Sequence, residues 1–297
     1  MMSYTKPLIV SIEGNIGTGK STILYHLEQY YKQTNDTSVI FVKEPVDEWE
    51  TIKDAEGETI LAKFYKDPHK YAFAFQIMAY ATRLSILRKA IRENPECKVL
   101  VCERSLEADK YIFANMLHDD GHIDDVCYQI YTKNFGEYSQ DFGVDRVVYI
   151  DSEPEVCYQR ISKRSRTGEG GIALGYLEKC KRYHDAWLKG KPGFPPYPLP
   201  FGKGEGDGID EGKGEGRGDG IGEGKGDGID EGKGDGEGDG EGDGKGDGID
   251  EGKGDDVSNS ITQILHLETN QDVKYDMDDE TDLGASWIRQ IRDFITV

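Results

Sequence analysis

Gly14-Asn15-Ile16-Gly17-Thr18-Gly19-Lys20-Ser21 fits the pattern G-x-x-x-x-G-K-[ST]. Glycines at that spacing let consecutive backbone N–H groups turn inward around an anion. A helix opening at Lys20 adds the partial positive charge of its N-terminus. Lys20 can reach the β- and γ-phosphates of a nucleoside triphosphate, and the Ser21 hydroxyl can coordinate Mg²⁺, with Thr22 completing the stretch. A plain Gly-rich turn has no need of Lys followed by Ser at that point. The motif therefore points to a phosphate donor and is silent about the acceptor.

Three further stretches bear on the acceptor. Glu44-Pro45-Val46-Asp47-Glu48-Trp49 holds a carboxylate on a rigid turn with an aromatic five residues on. Glu103-Arg104-Ser105 sets a carboxylate suited to a metal beside a guanidinium suited to phosphates. Arg160-Ile161-Ser162-Lys163-Arg164-Ser165-Arg166 is a basic cluster in an acidic protein, running into Gly168, Gly170 and Gly171 as a hinged lid would. A base near an acceptor hydroxyl, together with a cover that excludes water, suits a small-molecule acceptor better than attack by water.

These groups need a scaffold, and the apolar pattern supplies one. Leu8–Ile12, Val39–Val42, Val99–Cys102 and Arg146–Ile150 are short β-rich runs that read as buried parallel strands. Helical spacing covers Lys20–Lys32, Lys70–Glu93, Ala108–Leu117, Val126–Asn134, Pro154–Lys163 and Leu174–Leu188. Ile261–Leu267 reads as a last strand and Ala285–Ile295 as a closing helix. Strands alternating with helices imply a mostly parallel sheet covered on both faces. Glu13, Glu44 and Glu103 then fall at strand ends, where ligands of such sheets bind.

The chain resembles the deoxyribonucleoside kinase family. The resemblance rests on Gly-Asn-Ile-Gly-x-Gly-Lys-Ser-Thr, Glu-Pro-Val-x-x-Trp, Phe-x-Phe-Gln (73–76), Glu-Arg-Ser, and Tyr-Leu-Glu-Lys followed by Trp187-Leu188, in that order from Ile9 to about Leu188. It implies a P-loop kinase three-layer fold with a five-stranded parallel sheet and an arginine-rich lid. It also implies transfer of the γ-phosphate of ATP, or another nucleoside triphosphate, to a deoxynucleoside 5′-hydroxyl. Under it Glu44 is the general base, Arg104 orients Glu44 or the 5′-oxygen, and Glu103 holds Mg²⁺ with Ser21. Arg160, Arg164 and Arg166 fall on the lid arginines. Gln76 meets the base edge between Phe75 and Phe113, Trp49 packs beside the sugar, and Tyr65 and Glu169 bind its 3′-hydroxyl. A homodimer is implied by the same likeness.

Ala79, Arg83 and Asp109 bear on the choice of base. Thymidine-accepting members of that family carry apolar residues at the positions of Arg83 and Asp109. A cation and a carboxylate there suit an exocyclic amine, so the expectation is deoxycytidine or purine deoxynucleosides. Gly175 and Ala173 depart from the family's common Glu and Pro at the helix start after the lid. Alternative readings are a nucleoside monophosphate kinase such as thymidylate kinase, or a non-catalytic nucleotide-binding subunit.

Composition divides the chain of 297 residues. Residues 202–256 hold 24 of its 38 glycines, 20 acidic and 7 basic residues, and four large apolar side chains, all Ile. Such a stretch cannot bury enough apolar surface to offset its ordering entropy and reads as a disordered insertion. The expected kinase domain is residues 1–201 with 257–297. Gly-Asp-Gly-Ile-Asp-Glu-Gly-Lys-Gly recurs at Gly206, Gly226 and Gly246, but Lys or Glu stands where a Ca²⁺-binding roll needs an apolar residue. Residues 202–256 carry −13 of the net charge of −21, and the charge near −8 left on the rest of the chain argues against a nucleic-acid surface. Five cysteines without framework or metal spacing read as reduced thiols, and no apolar segment reaches membrane-spanning length. The expected setting is the cytoplasm, with no membrane partner. His118 and His122 read as an incidental pair at a turn.

Overall fold

The computed structural model describes residues 6–164, 168–190, 261 and 263–296. Arg166 and the Gly-rich stretch 202–256 lie outside the described residues. Strands β1 (Leu8–Gly14), β2 (Val39–Val42), β3 (Val99–Glu103), β4 (Arg146–Asp151) and β5 (Gln263–Glu268) form one five-stranded sheet. Its order is β2-β3-β1-β4-β5, and every neighbouring pair is parallel.

The helices are α1 (Lys20–Gln33), α2 (Val46–Trp49), α3 (Ile60–Lys66), α4 (Pro68–Glu93) and α5 (Leu106–Ala108), then α6 (Asn115–Asp119), α7 (Asp125–Tyr138), α8 (Pro154–Arg164), α9 (Leu174–Lys189) and α10 (Leu283–Ile295). Successive strand residues point to opposite faces, so each central strand feeds two cores. Ile9, Leu100, Val147 and Tyr149 pack with Leu84 and Leu87 of α4, Tyr131 and Phe135 of α7, and Leu188 of α9. Val10, Val101, Val148 and Ile150 pack with Ile23, Leu24 and Leu27 of α1 and with Trp287, Ile288 and Ile291 of α10. Burying each large apolar side chain stabilises the fold by roughly 1.5–3 kcal/mol. Two such layers fix where the strand ends lie, and the site is built there.

Three details differ from the sequence-based expectation. Residues 108–117 are not one α-helix: α5 passes into a π-helical turn at Asp109–Ala114 and then into α6. Wider turns of this kind are frequent at functional sites, and this one carries Asp109 and Phe113. α2 has only four residues and α3 seven, too few to show a helical period. α3 begins instead with a local signal, Thr59 accepting a hydrogen bond from the Ala62 N–H at 3.2 Å. The last strand starts at Gln263, two residues later than its apolar run.

Candidate active site

The turn after β1 closes on itself as an anion cradle must. A Cβ on Gly14 would lie 2.3 Å from the Ile150 carbonyl oxygen, and one on Gly17 2.7 Å from that of Cys157, so both positions require glycine. Asn15 is buried, and its side-chain amide donates to the Leu177 carbonyl of α9 at 2.8 Å, anchoring the loop from behind. Thr18 donates its hydroxyl to the Asn15 carbonyl at 3.1 Å. Lys20, also buried, bonds the same carbonyl at 2.6 Å. Burial, and then the Arg104 guanidinium, push the Lys20 ammonium down to about 8. Ser21 donates to Glu103 Oε1 at 2.6 Å. A hydroxyl and a carboxylate together are the hard oxygen donors that Mg²⁺ prefers.

Glu44 follows β2 on a turn stiffened by Pro45, where the Val46 N–H donates to the Glu44 carbonyl at 2.9 Å. Two arginines converge on its carboxylate: Arg83 Nη2 at 3.0 Å and Arg104 Nε at 3.2 Å, both to Oε1. Burial works against a charge on Glu44, but Arg104, Arg83 and Lys20 outweigh it and hold the carboxyl below its ordinary value. Arg83 is fully committed, donating also to Asp109 Oδ2 at 2.8 Å and to the Glu103 carbonyl at 2.8 Å.

A cavity of about 350 Å³ joins the cradle to this cluster. Helix α4 presents Phe75, Gln76 and Ala79 to it and keeps Arg83 just behind, because residues three, four and seven apart share one helix face. Asp67 caps that helix by accepting from the Lys70 N–H at 3.3 Å, and Pro68 occupies its first turn. Phe75 stacks on Phe64 with ring centres 4.8 Å apart and meets Trp49 edge-on at 5.4 Å. Trp49 donates its indole N–H to Thr82 at 2.9 Å. Phe113 faces from the π-helical turn, with the Arg104 guanidinium 4.8 Å from its ring centre. Gln76 is buried, and its Oε1 has no hydrogen-bond partner. A buried acceptor left open in this way marks a place where a ligand donor belongs.

The lid side divides. Arg164 lines the cavity and pairs with Glu169, which Tyr65 joins in the lining. Arg160 is held elsewhere: it donates to the Gln271 carbonyl at 2.9 Å and pairs with Asp272 at 3.4 Å. The expectation that Arg160 stands with Arg164 over the phosphates is therefore not met in this conformation, because the segment after β5 takes up its guanidinium. Helix α9 starts at Leu174, and Ala173 before it supplies no side-chain cap, consistent with the departures at Ala173 and Gly175.

Leu61, Phe64 and Tyr176 also line the cavity and were not among the expected site residues. Tyr176 belongs to the Tyr-Leu-Glu-Lys motif, so a signal existed there, whereas Leu61 and Phe64 read only as apolar positions. His118 stacks on Tyr128 at 4.1 Å and bonds Asp125 at 2.9 Å, while His122 meets His69 edge-on at 4.3 Å. Among the described residues no group of three or more His, Cys, Asp or Glu could hold a metal ion, and no helix is long and apolar enough to cross a membrane.

A family model described as deoxynucleoside kinase matches residues 10–202. Over 60% of this chain and 71% of the relative, the sequence is 37% identical to a protein named probable deoxycytidine kinase from fowlpox virus (strain NVSL). It is 30% identical to the mitochondrial deoxyguanosine kinase of Xenopus laevis over 61% of this chain and 73% of that one. The human deoxycytidine kinase is 32% identical over 60% and 74%.

Proposed function

The chain belongs to the deoxynucleoside kinase family, and from that premise we propose that it transfers the γ-phosphate of ATP to the 5′-hydroxyl of deoxycytidine or a purine deoxynucleoside. The observation that carries the reading is Glu44, held charged by two arginines between the phosphate cradle and a cavity with an open amide acceptor.

Glu44 receives the 5′-hydroxyl proton as that oxygen bonds to the γ-phosphorus and the bond from phosphorus to the β,γ-bridging oxygen breaks to leave ADP. Arg104 keeps the Glu44 carboxylate facing the 5′-oxygen. The transition state is loose, so orientation matters more than basicity, and a depressed carboxyl is no handicap. Lys20 leaves the Asn15 carbonyl for the β- and γ-phosphates. Arg164, on releasing Glu169, supplies charge to the transferred group, Arg160 joins it only on leaving Gln271 and Asp272, and the family likeness assigns Arg166 to the same task. Glu169 and Tyr65 then hold the 3′-hydroxyl. Ser21 and Glu103 would hold Mg²⁺, which when bound neutralises charge on the phosphate oxygens.

Gln76 can donate to a ring nitrogen and accept from an exocyclic amine, while Phe75 and Phe113 sandwich the base and Ala79 leaves it room. Asp109 favours a base that brings its own donor. A monophosphate kinase would want added cations for the acceptor phosphate, whereas Arg83 and Arg104 are taken up by Glu44 and Asp109, and Tyr65, Gln76 and Glu169 suit an uncharged nucleoside. The working protein is a cytoplasmic homodimer, and residues 1–201 with 257–297 suffice for catalysis. Relative kcat/KM for the four deoxynucleosides with MgATP tests the reading. Deoxycytidine or a purine nucleoside should lead, and thymidine as clear favourite would end the base assignment.

A further inference from the structure

Glu13 sits near the end of β1, immediately before the phosphate-cradling Gly14, and no part of it reaches solvent. The mechanism above gives it no task. Its Oε1 accepts a hydrogen bond from the Ser105 hydroxyl at 2.6 Å, while Oε2 has no partner. One residue earlier, the Ile12 carbonyl accepts from the Arg104 N–H at 3.1 Å. Strand β1 thus grips the turn after β3 on both sides of Arg104.

Between those two anchors Arg104 has φ 64°. The left-handed region costs a residue with a Cβ roughly 1–2 kcal/mol, so surrounding bonds must hold it there. That backbone sends the side chain back over Phe113 to Glu44. The Ser105 hydroxyl is engaged from its other side as well, accepting from the Ala108 N–H at 3.1 Å to cap α5. One hydroxyl therefore ties β1, the Arg104 turn and the helix leading to Asp109.

We propose that Glu13 is a positioning residue for phosphoryl transfer, acting through Ser105 to hold the left-handed Arg104 that orients Glu44. The inference rests on the roles given to Glu44 and Arg104 under the proposed function. Burial pushes the Glu13 carboxyl upward, against Arg104, Ser105 and Arg83, so a neutral amide is a fair substitute for it.

The test uses the full chain with MgATP and deoxycytidine, comparing Glu13→Ala, Glu13→Gln, Ser105→Ala and the double variant Glu13→Ala/Ser105→Ala. Glu13→Ala should lower kcat about tenfold with KM changed by less than about twofold. Glu13→Gln should keep kcat within about threefold, because its amide oxygen accepts the same hydroxyl. Ser105→Ala should lose at least as much as Glu13→Ala, since it also removes the α5 cap, and the double variant should lose no more than Ser105→Ala alone, as expected when Glu13 acts through that hydroxyl.

Glu44 faces Arg104, Arg83 and Lys20. With Arg104 adrift, burial gains on the cations, so the acid limb of kcat against pH moves upward in Glu13→Ala. A variant that is only less stable leaves that limb in place. Wild-type kcat with an unmoved limb in Glu13→Ala, or losses that add in the double variant, would overturn the proposal. Should Glu13→Ala fail to fold, Ser105→Ala and Ser105→Thr carry the same test, with Thr expected to retain kcat. A wild-type chain inactive on every deoxynucleoside would instead remove the functional reading, and this proposal with it.

Discussion

The charges around Glu44 and those around Asp151 both stand at strand ends, but they are completed differently. Asp151 receives Lys181 on Oδ1 at 2.6 Å, and Lys189 at 2.7 Å and His266 at 3.0 Å on Oδ2. Asp185 receives Tyr149 at 3.0 Å and Lys189 at 3.0 Å on Oδ1, and Lys181 at 3.4 Å on Oδ2. Every carboxylate oxygen in that group is used, and the group ties α9 to β4 and β5. Around Glu44, by contrast, Gln76 Oε1, Arg104 Nη1 and Glu13 Oε2 are buried without partners, and Arg104 is held in a left-handed backbone. A saturated network lowers the energy of the folded chain alone. An unsaturated one keeps bonding capacity for something that binds.

Glu44→Gln should give the largest effect, a fall in kcat of roughly 10²–10⁴-fold, with a smaller loss of urea stability than Asp151→Asn, because the amide oxygen can still accept from Arg83 and Arg104. A large loss of stability with kcat retained would reverse the contrast between the clusters. Asp151→Asn should do the opposite, costing about 2–4 kcal/mol in urea unfolding while leaving kcat/KM within about threefold. Burial opposes the charge of Asp151, but Lys181, Lys189 and His266 hold its carboxyl well below the ordinary range. Its stabilising contribution is therefore present above about pH 4 and lost as pH falls further. Unfolding curves from pH 5 to 3 should show that loss in the wild type and much less of it in the variant.

Gln76→Leu removes an acceptor that nothing in the chain uses. It should lower kcat/KM for deoxycytidine about tenfold while leaving thermal stability equal or higher. A drop in melting temperature would mean that Gln76 belongs to the saturated kind of network.

The smallest effect concerns Lys20. Its ammonium sits near 8 in the free protein, and a bound polyphosphate favours the charged form. Binding at pH 8 should therefore take up a fraction of a proton and weaken above that pH. Calorimetry in two buffers of different ionisation enthalpy reads this, and identical heats would exclude it.

Much of this was legible from the residues. The strand runs at Leu8, Val39, Val99 and Arg146 are continuous and apolar because each strand is covered on both faces, and all four proved to be strands. The helical period of α4 already set Phe75, Gln76, Ala79 and Arg83 on one face. The π-helical turn was not legible, because its residues read equally well as α-helix. Nor were α2 and α3, which are shorter than the period that would reveal them.

The local order of glycines, Lys20 and Ser21 is enough by itself to specify a phosphate cradle, since neighbouring backbone groups form it. Alternation of strands and helices likewise specifies a parallel sheet, because apolar faces must be covered. Which charges meet is another matter. Arg83 on α4, Arg104 after β3 and Glu44 after β2 are far apart in sequence, and only the packed sheet order β2-β3-β1 brings their side chains within 3.2 Å. The same packing turned Arg160 toward Asp272 and left the Gln76 oxygen open. Pairing among buried charges depends on distances of a few ångströms, and tertiary structure alone sets those.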